Sequence, residues 1–181
     1  MVAKTHVVIG LTTLAGTDAL TGLVQPHPFN GIPVGPVLGM VAVMLGALAP
    51  DIDAKKSQIR YELGPAGLAI SSWLQSVGVQ HRGLTHYGLT TIAIIALSAL
   101  LGWWLDYLDV GLAFGLGYLS HVLADSLTIA GTPLLWPLKK KKNFHLLPRG
   151  LRLRTRGPVE SFLFIGFTVV LVVLLPAYLP A

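Results

Sequence analysis

Five apolar stretches recur along this 181-residue chain, separated by short polar or Pro/Gly-rich connections. Backbone that enters hydrocarbon must satisfy its own amides and carbonyls, so such a chain is expected to fold as a bundle of membrane helices. The first stretch runs from about Val7 to Val24, is weakened by Thr12, Thr13, Thr17 and Asp18, and stops at QPHPFNGIPVGP. The second, Val34 to Ala49, ends where Pro50 introduces DID. The third, Leu84 to Leu105, follows HRG and is closed by Trp103, Trp104 and Tyr107, which favour a membrane interface. The fourth, about Val110 to Ile129, carries His121 and Asp125 within it, and the fifth, Val159 to Leu175, is a Phe/Val/Leu run ended by Pro176. Residues 64 to 79, GPAGLAISSWLQSVGV, are too short and too polar to span and read as a re-entrant or interfacial helix.

Composition agrees: 53% of residues are hydrophobic, 12% are charged and the mean hydropathy is +0.69, far from an ordinary soluble domain. The chain has room for about five spans of about 20 residues each, so residues 1–181 are expected to form a single all-α integral membrane domain. Cysteine is absent, which excludes disulfides and thiolate metal sites and leaves His, Asp and Glu as ligands. A signal peptide is the competing reading of the N-terminus. It would remove His6, and Asp18 interrupts its apolar run.

Positive charge is distributed one-sidedly. Lys4 precedes the first helix; Lys55, Lys56, Arg60 and Arg82 lie between the second and third; Lys139 to Lys142, Arg149, Arg152, Arg154 and Arg156 lie between the fourth and fifth. The opposite connections, 25–33 and 106–109, contain no Lys or Arg, only His27, Asp106 and Asp109 among ionisable groups. Lys and Arg accumulate in cytoplasmic loops, so the expected location is the inner membrane, multi-pass, with the N-terminus cytoplasmic.

That orientation, set by Lys and Arg alone, gathers His6, Asp51, Asp53, His81, His86, His121 and Asp125 on the cytoplasmic side. His121 and Asp125 stand at i and i+4 on one helix face and can bind a metal jointly. The carboxylates of DID can bridge ions or bind separately. Such ligands suit zinc first and manganese second, and one or two ions would activate water and hold a phosphoryl oxygen. Each motif also has a structural reading. HxxxD can be a buried hydrogen-bonded pair, Asp51 and Asp53 a solvated helix terminus, and HRGLTH a loop in which Thr85 caps the third helix.

The order His6, ALAPDID, HRGLTH and GYLSHVLADSLTIAGTPLLWP resembles the YdjM-type inner-membrane metal-dependent hydrolases, also described as LexA-binding. The resemblance covers nearly the whole chain and rests on PDxD, HRGxTH, and HxxxD followed by TxxGxP. It implies metal-dependent hydrolysis at the inner membrane. A fainter similarity is to zinc phospholipase C and its nuclease relatives, which also use Asp, His and HxxxD; their further HxxxE motif is missing here, which argues against a full three-zinc site.

Other residues complete the expectation. Glu160 at the start of the fifth helix reads equally as a favourable helix-end charge, a metal ligand or a general base. Arg82 is positioned to hold a substrate phosphate, with a plain surface charge as its alternative. Thr128, Gly131 and Thr132 would shape the pocket floor, Asp18 would be a helix-packing hydrogen bonder, His27 falls on the far side, and His145 reads as a solvated loop residue. The basic 139–156 loop is expected to anchor topology and meet anionic phospholipid headgroups; no recognition helix or stacking platform accompanies it, so nucleic acid is not expected.

The expectation is therefore a membrane-bound metal-dependent hydrolase acting on a phosphoester of a lipid at the cytoplasmic face. Metal ligands would come from the seven gathered residues, Arg82 would neutralise developing charge, and Asp53 or Glu160 would act as base. The alternatives are a non-enzymatic membrane regulator with a structural metal site, and a metal-ion carrier or sensor. A structural site is coordinatively closed, whereas a catalytic one keeps a position open.

Overall fold

The computed structural model describes residues 1–54, 57–77, 83–138 and 143–178. Among them the chain forms α1 (Ala3–Thr21), α2 (Gly35–Leu48), α3 (Gln58–Glu62), α4 (Gly64–Ser76), α5 (Gly88–Trp104), α6 (Leu108–Ser126) and α7 (Pro158–Tyr178). Short 3-10 turns occupy Ala49–Asp53, Leu84–His86 and Arg149–Leu151. The fold is all-α apart from a two-residue antiparallel pairing of Pro28–Phe29 with Ile32–Pro33. Asn30 and Gly31, both at positive φ, supply the tight turn between them.

Helix boundaries follow local chemistry. α1 starts at Ala3, four residues before the apolar run, so that Lys4 and His6 lie inside its first two turns. Its threonines return their hydroxyls to the preceding turn, Thr12 to Val8 O at 2.8 Å and Thr13 to Ile9 O at 2.8 Å, which removes the cost of carrying them into an apolar helix. The helix stops at Gly22, whose φ of 61° lets its N–H close onto Asp18 O. α7 continues through Pro176 to Tyr178 rather than ending at the proline. α3, which the sequence pattern did not reveal, is only five residues long.

By length and composition two helical segments are fit to cross a membrane, Gly35–Asp53 and Pro158–Pro176, while α5 is apolar over a shorter length. α1 and α6, each 19 residues, carry His6 and Asp18, and Asp109, His121 and Asp125. Of these, His6, Asp109, His121 and Asp125 are buried within the protein.

α6 is the centre of the bundle and packs against α1, α2 and α5, whereas α7 rests on α1. Backbone contact between α2 and α6 is close: a Cβ on Gly46 would lie 2.1 Å from Phe114 O, and one on Gly117 would lie 2.2 Å from Val43 O. Small residues allow this approach where apolar side chains alone supply little driving force between helices. The close approach draws the end of α2 onto α6, and with it the polar residues described next.

Candidate metal centre

Five side chains from four elements meet at one end of the bundle. His6 comes from α1, Asp51 from the Ala49–Asp53 turn, His86 from the Leu84–His86 turn, and His121 and Asp125 from α6. One ligand atom from each of His6, His121 and Asp125 lies within 4.8 Å of the others, and Asp51, His86 and His121 form a second such group. His6 Nε2 is 3.3 Å from Asp125 Oδ1, His121 Nε2 is 3.5 Å from Asp51 Oδ1, and His86 Nε2 is 3.8 Å from Asp51 Oδ1 and 3.9 Å from Asp125 Oδ2. The His6 and His121 rings stack at 3.7 Å, and His86 meets His121 edge-on at 5.3 Å. The Met1 amine also donates to Asp125 Oδ1.

Hydrogen bonding decides which nitrogens are available. His121 Nδ1 lies 2.7 Å from Ala47 O. A carbonyl can only accept, so Nδ1 carries the hydrogen, and in the neutral ring Nε2 keeps a free lone pair. That Nε2 is buried and makes no hydrogen bond among the described residues, and the same holds for both ring nitrogens of His6. Thr85 Oγ1 donates to Asp53 Oδ2 at 2.9 Å and therefore has only lone pairs to offer His86 Nδ1 at 3.0 Å. His86 Nδ1 is then the donor, and its Nε2 also presents a lone pair to the cluster. The buried nitrogens of His6 and the Nε2 of His121, left without a hydrogen bond among the described residues, are costly unless something binds them. Three imidazole nitrogens with two carboxylates make a nitrogen and oxygen donor set that fits zinc or manganese, and an imidazole braced through Nδ1 by a carbonyl is a common outer-sphere arrangement at such sites.

Asp53 behaves differently from Asp51 because of the turn that carries both. In a 3-10 helix successive residues are rotated by about 120°, so residues two apart point in different directions. Asp51 faces His121, while Asp53, buried at 2% exposure, accepts from Thr85 behind His86. Tyr118 OH donates to Thr85 O at 2.6 Å and fixes the same turn from α6. Thr85 is thus not the cap of α5, which has no side-chain cap. Gln75 of α4 donates to Asp53 O at 3.3 Å, which puts the helix over residues 64–76 against the site.

The remaining expected residues separate cleanly. Glu160 accepts backbone N–H groups from Val2 and Arg156 and so ties the start of α1 to the start of α7. Thr128, Gly131 and Thr132 line the turn after α6: Thr128 pairs with Leu153 and Thr132 with Phe144, and Gly131 at φ 64° admits Phe144 O, which a Cβ would meet at 2.6 Å. Asp18 Oδ1 accepts Val24 N at 2.7 Å, a bond to the following loop rather than to a neighbouring helix. His145 faces the carbonyls of Asn143 and Ile129. His27 pairs with Asp109 Oδ1 at 2.7 Å. His81 and Arg82, with Lys55, Lys56 and Lys139 to Lys142, lie outside the described residues. The sequence reading missed Tyr118, although its spacing of three from His121 puts it on the same helical face. It also missed Ala47, whose contribution is a backbone carbonyl and leaves no trace in residue type.

The YdjM inner membrane protein family matches residues 1–179. This chain belongs to the YdjM family of inner membrane proteins. It is 41% identical over 101 residues to inner membrane protein YdjM of Escherichia coli (strain K12) and, to the same extent, to that of Shigella flexneri. The aligned part is 54% of this chain and 48% of each relative, so the chain spans about half the length of the curated relatives it matches. No solved structure matches the chain. For this family member, the family and the His/Asp cluster rest on different observations, one from sequence likeness and one from geometry.

Proposed function

We propose that this inner membrane protein is a metal-dependent hydrolase acting on a phosphoester of a lipid at the cytoplasmic membrane face. The supporting observation is the convergence of His6, His86 and His121 Nε2 on the carboxylates of Asp51 and Asp125. One or two divalent ions held by these residues would supply Lewis acidity and a water of lowered pKa. The chain contributes orientation and access. Ala47 O aims the His121 ring, Thr85 with Asp53 and Tyr118 aims His86, and Asp51, with 22% of its side chain exposed, is the cluster residue that reaches furthest toward the surface. In this reading Asp53 positions His86, Glu160 anchors the two helix starts, and Arg82 takes the phosphate charge through its forked donors.

The membrane arrangement in the proposal is five spans formed by α1, α2, α5, α6 and α7, with the N-terminus and site cytoplasmic. Its support is the confinement of all 13 Lys and Arg to the N-terminal end of α1 and to two of the connecting regions, together with the burial of the polar residues of α1 and α6 near the site. Reporter activity in the periplasm from a fusion after Lys142 would contradict this orientation.

The experiment for the activity is purification in detergent, measurement of bound metal, and turnover on a panel of phospholipids and isoprenoid phosphates, with His121→Ala and Asp51→Ala as comparisons. Metal with turnover that both variants lose supports the hydrolase. A second reading, a structural metal site in a membrane regulator, draws on the near-complete burial of the three histidines, at 0–1% exposure. Stoichiometric metal without turnover on any ester would favour it, and absence of metal would sink both.

A further inference from the structure

The face of α1 opposite His6 carries a separate feature. Lys4, Val7 and Val8 stand at i, i+3 and i+4 and form one outward stripe, while His6 points into the bundle. Two cavities adjoin along this stripe, of about 750 Å³ and 450 Å³, and both are lined by Lys4, Gln58 and Phe164. The larger also reaches Arg156 and Ser161 at the start of α7. The smaller continues between α1 and α2 over Val8, Val41, Met44 and Leu45. The result is one groove, polar at the end near the chain terminus and apolar along its length.

Charge tells what fits. Lys4 Nζ lies 4.9 Å from the centroid of the Phe164 ring, at the junction of the two cavities. Neither the Lys4 ammonium nor the Arg156 guanidinium pairs with a carboxylate among the described residues. Two acids line the same groove, and their oxygens are turned onto amides rather than onto the cations: Glu160, which is buried, onto Val2 N and Arg156 N in the larger cavity, and Glu62 onto Gln58 Nε2 at 3.3 Å in the smaller. Two cations at the head of an apolar channel, neither held in a direct ion pair among the described residues, complement an amphiphile with an anionic head and an extended chain. Phe164 supplies an aromatic wall at the depth where the two halves of such a molecule meet.

We propose that this groove is a binding site for one anionic phospholipid, with its phosphate between Lys4 and Arg156 and one acyl chain lying along Val8, Met44 and Leu45. It lies on the opposite face of α1 from the His/Asp cluster, so the assignment does not depend on the hydrolase reading. The lipid would bridge α2, α1 and α7, and α7 otherwise joins the bundle chiefly through α1.

The test is native mass spectrometry of the full chain in detergent, titrated with phosphatidylglycerol and with phosphatidylcholine of the same acyl chains. A single phosphatidylglycerol adduct is expected, preferred over phosphatidylcholine. Each surface cation contributes about 1 kcal/mol toward an anionic lipid, so Lys4→Gln should weaken the preference roughly fivefold and Lys4→Gln with Arg156→Gln roughly thirtyfold, with Lys4→Arg restoring it. Val41→Trp, which fills the apolar half, should lower binding of both lipids while leaving bound metal unchanged. Equal binding of the two lipids, or a preference that survives the double charge variant, would overturn the site. A dimer that excludes lipid and dissolves on Val41→Trp would replace the lipid by a second copy of the chain and overturn it as well.

Discussion

The two ends of the bundle each bring histidine and aspartate together, and they do so with opposite results. At one end His27 Nε2 and Asp109 Oδ1 meet at 2.7 Å, Asp109 Oδ2 accepts Gln25 N at 2.9 Å, and Tyr107 packs on the imidazole ring at 4.5 Å. Both oxygens of Asp109 are engaged there, and the pair pins the 22–34 connection to the start of α6. At the other end three imidazoles are braced or turned so that their Nε2 atoms face the same space, and two of those atoms make no hydrogen bond among the described residues. The lesson is that residue type does not distinguish a brace from a ligand site. What distinguishes them is whether hydrogen bonding is exhausted inside the protein.

The most severe way to break the comparison is His121→Ala. It removes the histidine shared by both ligand groups, so bound metal measured on the purified protein should fall to background, a loss beyond the 10- to 100-fold typical of an outer-sphere change. The matching change at the far end, His27→Ala, should leave metal content untouched. Metal retained in the first variant, or lost in the second, would erase the distinction.

Acid should separate the ends next. Metal binds imidazole only in its neutral form, so protons compete, and affinity rises with pH and falls as pH drops. Three histidines make the loss steeper than a single titration. Equilibrium dialysis from pH 8 to pH 3.5 checks this, and metal retained across the whole range would exclude the imidazoles as ligands.

Thr85→Val sharpens the picture by removing the hydroxyl between Asp53 and His86 without touching a ligand. Metal affinity should drop about 10- to 100-fold, with recovery in Thr85→Ser. An effect as large as that of His121→Ala would indicate that Asp53 itself ligates. The smallest effects belong to single hydrogen bonds. Tyr118→Phe and His27→Ala should each lower stability by about 1 kcal/mol in a denaturation measurement, and only the first should also shift metal affinity.

How far the site was legible in the sequence depended on the element that carried each residue. His121 and Asp125 were readable because helical periodicity fixes their common face. Asp51 and Asp53 looked equivalent as DID, but the Ala49–Asp53 segment winds as a 3-10 turn, and that geometry sends one carboxylate to the cluster and the other to Thr85. Thr85 itself read as a helix cap because it precedes an apolar run; the distant Asp53 gives its hydroxyl a buried charged partner instead. The helices were recognisable from their apolar runs, yet α1 begins earlier than its run because Lys4 and His6 continue the helix beyond the apolar surface. Topology depends on a membrane, and its sequence signal, the placement of Lys and Arg, speaks to orientation rather than to packing.

The bond from His121 to Ala47 spans 74 residues of chain. At 5–20 residues per second of synthesis, roughly 4 to 15 s separate the making of its two ends. During that interval the last turn of α2 waits with an unclaimed carbonyl, and His6 and Asp51 have no third partner. The donor set therefore comes into being only when α6 is laid against α2, so any metal loading would be a late event in biogenesis, reserved for chains that have already completed the core of the bundle.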